Sequence, residues 1–323
     1  MKITLIICTY NRCQMLAGGL ESVAASILPK SVDWEVLIVD NNSSDQTREV
    51  VEDFCRRYPG RFRYVFEPQQ GLSCARNAGI RESQGEILAF TDDDVIVEPD
   101  WLWKLTSVLH AGEWAGAGGP IIAVWPRPLP GWLSTADPDT MGPFGDFNLG
   151  TEAGPLRRPP FGANMAFRRE VFKKYGDFRA DLGRSGRSLQ GREDIEFANR
   201  LLTGAEALWY EPGAVVRHRV QAHSMEKKYV LRWWYWYGRT EVAELGPPPA
   251  KWFISGVPLG LFRRFVRWTL QWMVSVGAPR RFSCQRTAWY IAGTAVACYE
   301  RSWQSNPQGV EAAGAHGTHR EPR

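Results

Sequence analysis

Four apolar runs, KITLIIC (2–8), WEVLIVD (34–40), residues 61–66 and EILAF (86–90), alternate with segments of helical spacing, and this alternation limits the fold more than any other feature of the chain. The helical segments are 14–26, ended before Pro29; 46–57, with Asp45 as N-cap and Pro59–Gly60 closing it; 72–83; and one that Pro99 starts and that runs to about His110. Runs that are apolar at nearly every position cannot keep one face in water. Both faces must be covered, and helices laid across a parallel sheet do that while supplying the long crossovers that parallel neighbours need. The expected class is α/β, with a mostly parallel sheet flanked by helices. In such sheets ligands gather beyond the carboxyl ends of the strands.

After residue 119 the pattern changes. Pro and Gly become dense (GPIIAVWPRPLPGW), so 119–160 reads as an irregular excursion, of a length that compact domains keep for function. Order returns at 161–168, followed by a short helix at 169–175, a helix at 192–203 and strand-like segments at 206–210 and 214–220. With 44% hydrophobic and 23% charged residues, most of the 323-residue chain can share in a core. The six cysteines are scattered without a CxxC pair, a spacing that suits reduced thiols in a cytoplasmic protein better than a disulfide framework or a zinc site. MKITLIICTYNR lacks the longer apolar region and cleavage site of a signal peptide and reads as a first strand.

The fourth strand stops against Asp92, Asp93 and Asp94. Three adjacent carboxylates repel one another, so positive charge is expected beside them. They are either a solvated loop or cap cluster, or hard oxygen ligands for Mg²⁺ or Mn²⁺, ions that bind one or two carboxylates and complete their shell with phosphate oxygens and water. The second reading would serve a leaving group carrying two phosphates. Other strand ends turn polar at the same edge: CTYNR (8–12) presents Thr9, Asn11 and Arg12, VDNNSSDQT (39–47) presents Asp40, and GLSCARNAGI (71–80) puts Arg76 and Asn77 into a helix starting there. Each alone is a turn or a cap; loops at one edge meet in space. GREDIEFANRLL places Glu193, Asp194 and Glu196 at a helix start, where acids complement the helix dipole or can serve as a base.

In order, IICTYNR, LIVDNNSSDQT, GLSCARNAGI, ILAFTDDD, GANMAFRREVF and GREDIEFANRLL resemble the successive signatures of family-2 inverting glycosyltransferases with the GT-A fold, over roughly residues 2–240. The resemblance implies a GT-A-type, Rossmann-like catalytic domain at 1–240. It also implies inverting hexosyl transfer from a nucleotide-sugar donor, UDP-linked by default, to an acceptor hydroxyl of a carbohydrate or lipid-linked substrate, with Mn²⁺ or Mg²⁺ as cofactor. Carried over residue by residue, Thr9, Asn11 and Arg12 would contact base and diphosphate, Asp40 the base ring, and Arg76 and Asn77 the nucleotide or diphosphate. Asp92 and Asp94 match the two acids of the DxD motif, Asp92 toward ribose or donor sugar and Asp94 on the metal, with Asp93, in the variable middle position, counted among the donor-binding residues. Asp194 matches the family's base and Glu193 its neighbour. Gly162 and Asn164 match a segment lining the sugar and acceptor cleft. His218, in AVVRHRV, is either structural or a partner of metal or diphosphate. A nucleotidyltransferase is the first rival reading, but that class carries a glycine-rich basic loop near its N-terminus, which CTYNR is not. The second is a non-catalytic carbohydrate-binding protein of the same fold, against which the presence of both Asp94 and Asp194 argues.

Residues 251–301 carry eight Lys or Arg and a single acid, whereas 1–250 sum to −3. The basic part, 241–302, is expected as a helical extension rich in Trp (Trp268, Trp272, Trp289), continuing from Trp233, Trp234 and Trp236 in YVLRWWYWYGRT. These aromatics are either core against the catalytic domain or an interfacial segment. The apolar runs fall short of the roughly 20 residues of a spanning helix, so peripheral contact at the cytoplasmic face of an anionic membrane is the expected mode. No nucleic-acid module accompanies the basic charge. Residues 303–323 are expected to be a disordered tail.

Overall fold

A computed structural model describes residues 2–135, 137–186 and 188–304. The chain divides into two compact units after Val230. The first unit opens with β1 (Lys2–Thr9), α1 (Cys13–Ala24), β2 (Asp33–Asp40), α2 (Thr47–Arg57), β3 (Phe62–Phe66), α3 (Leu72–Glu82) and β4 (Ile87–Asp92). These are the alternating elements expected, and β3-β2-β1-β4 pair in parallel. The interiors of β1, β2 and β4 are buried, Val36 to Val39 without interruption, as a sheet covered on both faces requires, while the edge strand β3 is fully buried only at Phe62. Asp45 sits one position before the N-cap of α2, yet its Oδ1 still accepts from the Thr47 N–H at 3.1 Å.

The unit continues with β5 (Val95–Val97), α4 (Trp101–Ser107), β6 (Gly116–Gly118), β7 (Ile121–Val124), α5 (Pro138–Met141), β8 (Gly154–Leu156), β9 (Met165–Arg168), α6 (Arg169–Tyr175), α7 (Glu193–Thr203), β10 (Leu208–Tyr210) and β11 (Val216–Arg219). The large sheet is completed in the order β3-β2-β1-β4-β9-β6-β10-β8, with β9 antiparallel to both its neighbours. The excursion at 119–160 is less irregular than expected, because β7 and β8 pair with strands distant in sequence. A second sheet, β5-β11-β7, lies at the end of β4.

The C-terminal elements are α8 (Lys227–Leu245), β12 (Phe253–Ile254), β13 (Val257–Pro258), α9 (Leu259–Val274) and α10 (Ala278–Gln304). The division falls inside α8, ten residues before the boundary expected at 240, and the helix runs on to Leu245, ahead of Gly246 and Pro247. The second unit is the helical region expected. Val242, Val257, Leu261, Ile291 and Cys298 form its core, with Trp268 packed against it. α8 and α10 approach so closely that a methyl group on Gly293 would overlap the Tyr235 carbonyl. Trp234 is buried beneath the Arg286 guanidinium, 4.6 Å from its ring centroid, and Trp233 stacks on Tyr237. No described helix is long and apolar enough to cross a membrane. The tail expected at 303–323 lies, from residue 305 onward, outside the described residues.

Candidate active site

The strand register builds the site. β1 pairs Thr9 with Asp40 on one side and Cys8 with Asp92 on the other, so the carboxyl ends of β1, β2 and β4 finish together where the strand order reverses. β5 then turns back from Asp94 and pairs with β11, which sets His218 opposite Val95. Two clusters result, joined through the adjacent residues Asp92 and Asp93.

The first cluster holds Asp93 and Asp94, both about 95% buried. Arg12 Nη1 donates to Asp93 Oδ1 at 2.9 Å and to Asp94 Oδ2 at 2.8 Å, and Thr9 Oγ1 donates to Asp93 Oδ2 at 2.8 Å. The positive charge that the acids need is therefore supplied first by the protein's own guanidinium. Asp93, expected among the donor-binding residues, has both oxygens hydrogen-bonded within the fold. Its carboxyl is pushed up to about 6 by burial, against the pull of Arg12. Asp94 goes the other way: burial opposes ionisation, but His218 and Arg12 hold it down at about 2. His218 Nε2 stands 3.4 Å from Asp94 Oδ1, and burial of the ring is outweighed by that carboxylate, so its pKa rises.

Under this loop lies Arg219. Its backbone N–H donates to the Asp94 carbonyl at 2.9 Å, and its guanidinium reaches the carbonyls of Asp93, Asp94 and Met15. It clasps the acidic turn by its backbone.

The second cluster centres on Arg76, buried on α3. Its Nη1 donates to Glu193 Oε1 at 2.5 Å, and its Nη2 lies 3.5 Å from Asp92. Gly162 allows this, since any Cβ there would overlap the guanidinium. Glu193 is buried and its carboxyl is pushed up to about 7, burial outweighing Arg76. Asp194 is half-buried, and its Oδ2 accepts the Gly162 N–H at 2.6 Å. Glu196 pairs with Arg200 at 2.9 Å along the same helix. The three acids of one helical turn thus have three different partners. α7 is fixed for this by Phe197, which is fully buried and stacks on Phe172 at 4.7 Å.

Four expected contact residues have their polar atoms taken up by the fold. Asp40 accepts from the Ser43 N–H and the Tyr64 hydroxyl at 2.9 and 2.8 Å. Asn77 brackets the backbone of Phe178, donating to its carbonyl and accepting from its N–H. Asn164 is fully buried; it accepts from Trp101 Nε1 and donates to the carbonyls of Pro120 and Ala214, so it holds β9 in place and does not face a cleft. Asp93 is the fourth. Asn11, by contrast, is exposed, at φ 52°, and its Oδ1 accepts from the Ser44 N–H at 2.7 Å, tying the β1 loop to the β2 loop. Arg184, exposed in the loop before α7, was missed. Its charge acts on Asp92, Asp94 and Glu193, and the signal available was the basic, Gly- and Ser-rich run LGRSGR before the acidic helix start.

The residues present fit a divalent ion. Asp94 Oδ1 is buried without a hydrogen-bond partner. His218 Nδ1 lies 2.8 Å from the Phe144 carbonyl, which fixes Nδ1 as the donor and leaves Nε2 a lone pair when neutral. Among the described residues no group of three or more His, Cys, Asp or Glu is arranged to hold a metal ion. Two ligands with the rest left to phosphate and water is how Mg²⁺ is commonly held in phosphate-binding sites.

The sequence model of "Glycosyl transferase family 2" matches residues 4–176, just over half the chain. The succinoglycan biosynthesis protein ExoM of Rhizobium meliloti (strain 1021) is 29% identical over 224 residues, 68% of this chain and 67% of that protein. The glucosyl-dolichyl phosphate glucuronosyltransferase of Haloferax volcanii is 26% identical over 250 residues, 74% of this chain and 75% of that one. Among solved structures, the mannosyltransferase PcManGT from Pyrobaculum calidifontis, in complex with GDP-Man and Mn²⁺, superposes with a TM-score of 0.55 at 18% identity, covering 98% of this chain and 76% of the other. That likeness establishes the GT-A fold.

Proposed function

Since the chain belongs to glycosyl transferase family 2 and is a glycosyltransferase, we propose that its first unit moves a sugar from a nucleoside-diphosphate sugar to an acceptor hydroxyl with inversion. The observation that carries this reading is the buried Asp94 Oδ1, which accepts no hydrogen bond and faces His218 Nε2 at 3.4 Å, at the edge where three strand ends converge. Asp94 and His218 would hold a divalent ion, Mn²⁺ or Mg²⁺. When bound, that ion neutralises charge on the departing diphosphate.

The chain's own residues do the rest. Arg12 and Arg76 keep the acidic turn from repelling an anionic donor. Asp40 acts through the 41–45 loop that it holds in shape, and does not meet the base itself. Asp92, the most open of the three acids, is left to meet the donor's ribose or sugar. Asp194 is the base. The acceptor hydroxyl attacks the anomeric carbon on the face opposite the leaving group. As the new C–O bond forms, its proton passes to Asp194, and the bond to the diphosphate breaks with its electron pair leaving on oxygen. The Gly162 N–H fixes the carboxylate so that its orientation is set before the acceptor arrives. A lipid-linked acceptor, as the name of the Haloferax relative suggests for that protein, is the favoured class.

The test is a screen of nucleotide sugars for Mn²⁺-dependent release of nucleoside diphosphate in the presence of acceptors. Asp194→Asn should cut turnover by at least about 10²-fold, the usual contribution of a positioned base, with nucleotide binding retained. Release that is unaltered in that variant would overturn the assignment of the base.

A further inference from the structure

Helix α9 carries two apolar stripes. One, with Leu261 and Trp268, packs into the core of the second unit. The other runs along Phe262, Phe265, Val266, Leu270 and Met273, at i, i+3, i+4 spacing, and every one of these side chains is 40–59% exposed. Beyond the helix Val276 is 89% exposed. At the other end, the Leu259 N–H donates to the carbonyl of Trp252, whose ring is 73% exposed beside the exposed Phe253 and Ile254. A contiguous apolar strip of this kind marks a surface that something covers.

The charge around it indicates what. Arg263 and Arg267, one turn apart, are exposed along the flank of the strip, and Arg280 and Arg281 are exposed where α10 begins. From residue 251 to 299 there is no acidic residue at all. A second copy of the chain would present the same cationic flank, and an isologous pairing would bring like charges together. An anionic bilayer offers both complements, acyl chain for the strip and phosphate for the guanidinium groups. With 16 residues, α9 is about 24 Å long, short of the roughly 30 Å hydrocarbon core, so it would lie in the plane of the interface.

We propose that the outward face of α9, with the Trp252–Ile254 hairpin strand, binds the surface of an anionic lipid membrane. This relocates the interfacial aromatics expected from the sequence, because Trp233, Trp234 and Trp236 on α8 are turned inward wholly or in part. The proposal stands apart from sugar transfer and is tested without it.

The full chain is sedimented with phosphatidylcholine vesicles, with and without phosphatidylglycerol, and its mass in lipid-free solution is measured by light scattering. The bound fraction should be at least about tenfold higher on the anionic vesicles, and should fall as salt rises. Val266→Asp with Met273→Asp, both at solvent-facing positions, should abolish binding while circular dichroism is unchanged. Arg263→Glu with Arg267→Glu should remove the preference for phosphatidylglycerol. Wild-type chain that ignores anionic vesicles overturns the proposal whatever the variants do. So does a lipid-free dimer that Val266→Asp with Met273→Asp makes monomeric, which would assign the face to a second copy.

Discussion

Arg219 does more for the acidic turn than its place in the sequence suggests. A carboxylate that must accept a cation has to be held by something other than its own free oxygen, and Arg219 does this by gripping backbone carbonyls at 93 and 94. Positioning groups of this kind usually affect metal affinity about 10–100-fold. Arg219→Gln should therefore weaken Mn²⁺ binding by about tenfold or more in calorimetric titration, with the chain still folded; unchanged affinity would show the clasp to be structural only. The three acids were legible as a motif, and the resemblance already set Asp92 and Asp94 apart from the middle position; the groups that bond Asp93 were not legible. Asp93 lies between the more open Asp92 and an equally buried Asp94, and is the most internally bonded of the three, because Thr9 and Arg12 come to it from β1 and its loop. Asp40, Asn77 and Asn164 teach the same lesson. A side chain able to bind a ligand can equally bind the backbone that shapes the site, and sequence alone does not separate the two.

Among the elements, the helix crossings depend on glycine. Gly293 sits inside α10, where Ala would ordinarily stabilise the helix by about 0.5–1 kcal/mol. Here the new methyl would press on the Tyr235 carbonyl of α8, and overpacking of this kind costs about 1–3 kcal/mol. The second effect is larger, so Gly293→Ala should lower the chemical-denaturation midpoint of the second unit. Gly162→Ala makes the parallel case in the first unit. Its methyl would displace the Arg76 guanidinium from Glu193 and Asp92. Lower stability by about 1–3 kcal/mol is expected. The alternation of β1 to β4 with α1 to α3 was readable to within a residue or two because each run carries its own burial pattern. β9 was not readable as an antiparallel strand, since a four-residue run with three apolar side chains does not encode the direction of its partners.

At the scale of the whole molecule, buried acids set the pH response. Asp93 and Glu193 titrate near 6 and 7 in the fold, above the ordinary carboxylate range. Between that range and pH 7 the folded chain therefore binds more protons than the unfolded one, and stability must fall as pH rises through the window. Asp94 contributes in the opposite sense: its share is present above the ordinary range and lost as pH falls toward 2. Metal-free protein should thus melt at a lower temperature at pH 8 than at pH 5, and Glu193→Gln should flatten part of that slope. A melting temperature that rises over the same interval would contradict the burial of these groups. The class of the first unit, the edge at which its polar strand ends meet, and the helical, basic character of the second are all legible in the residues alone, because burial periodicity and net charge are local sums over neighbouring residues. Three-dimensional packing is needed to see that His218 meets Asp94 across 124 positions, that Arg76 pairs with Asp92 and Glu193 together, and that α9 rather than α8 shows its apolar face. Those facts depend on strand register and helix crossing, which bring together residues whose own sequence neighbourhoods hold no trace of one another.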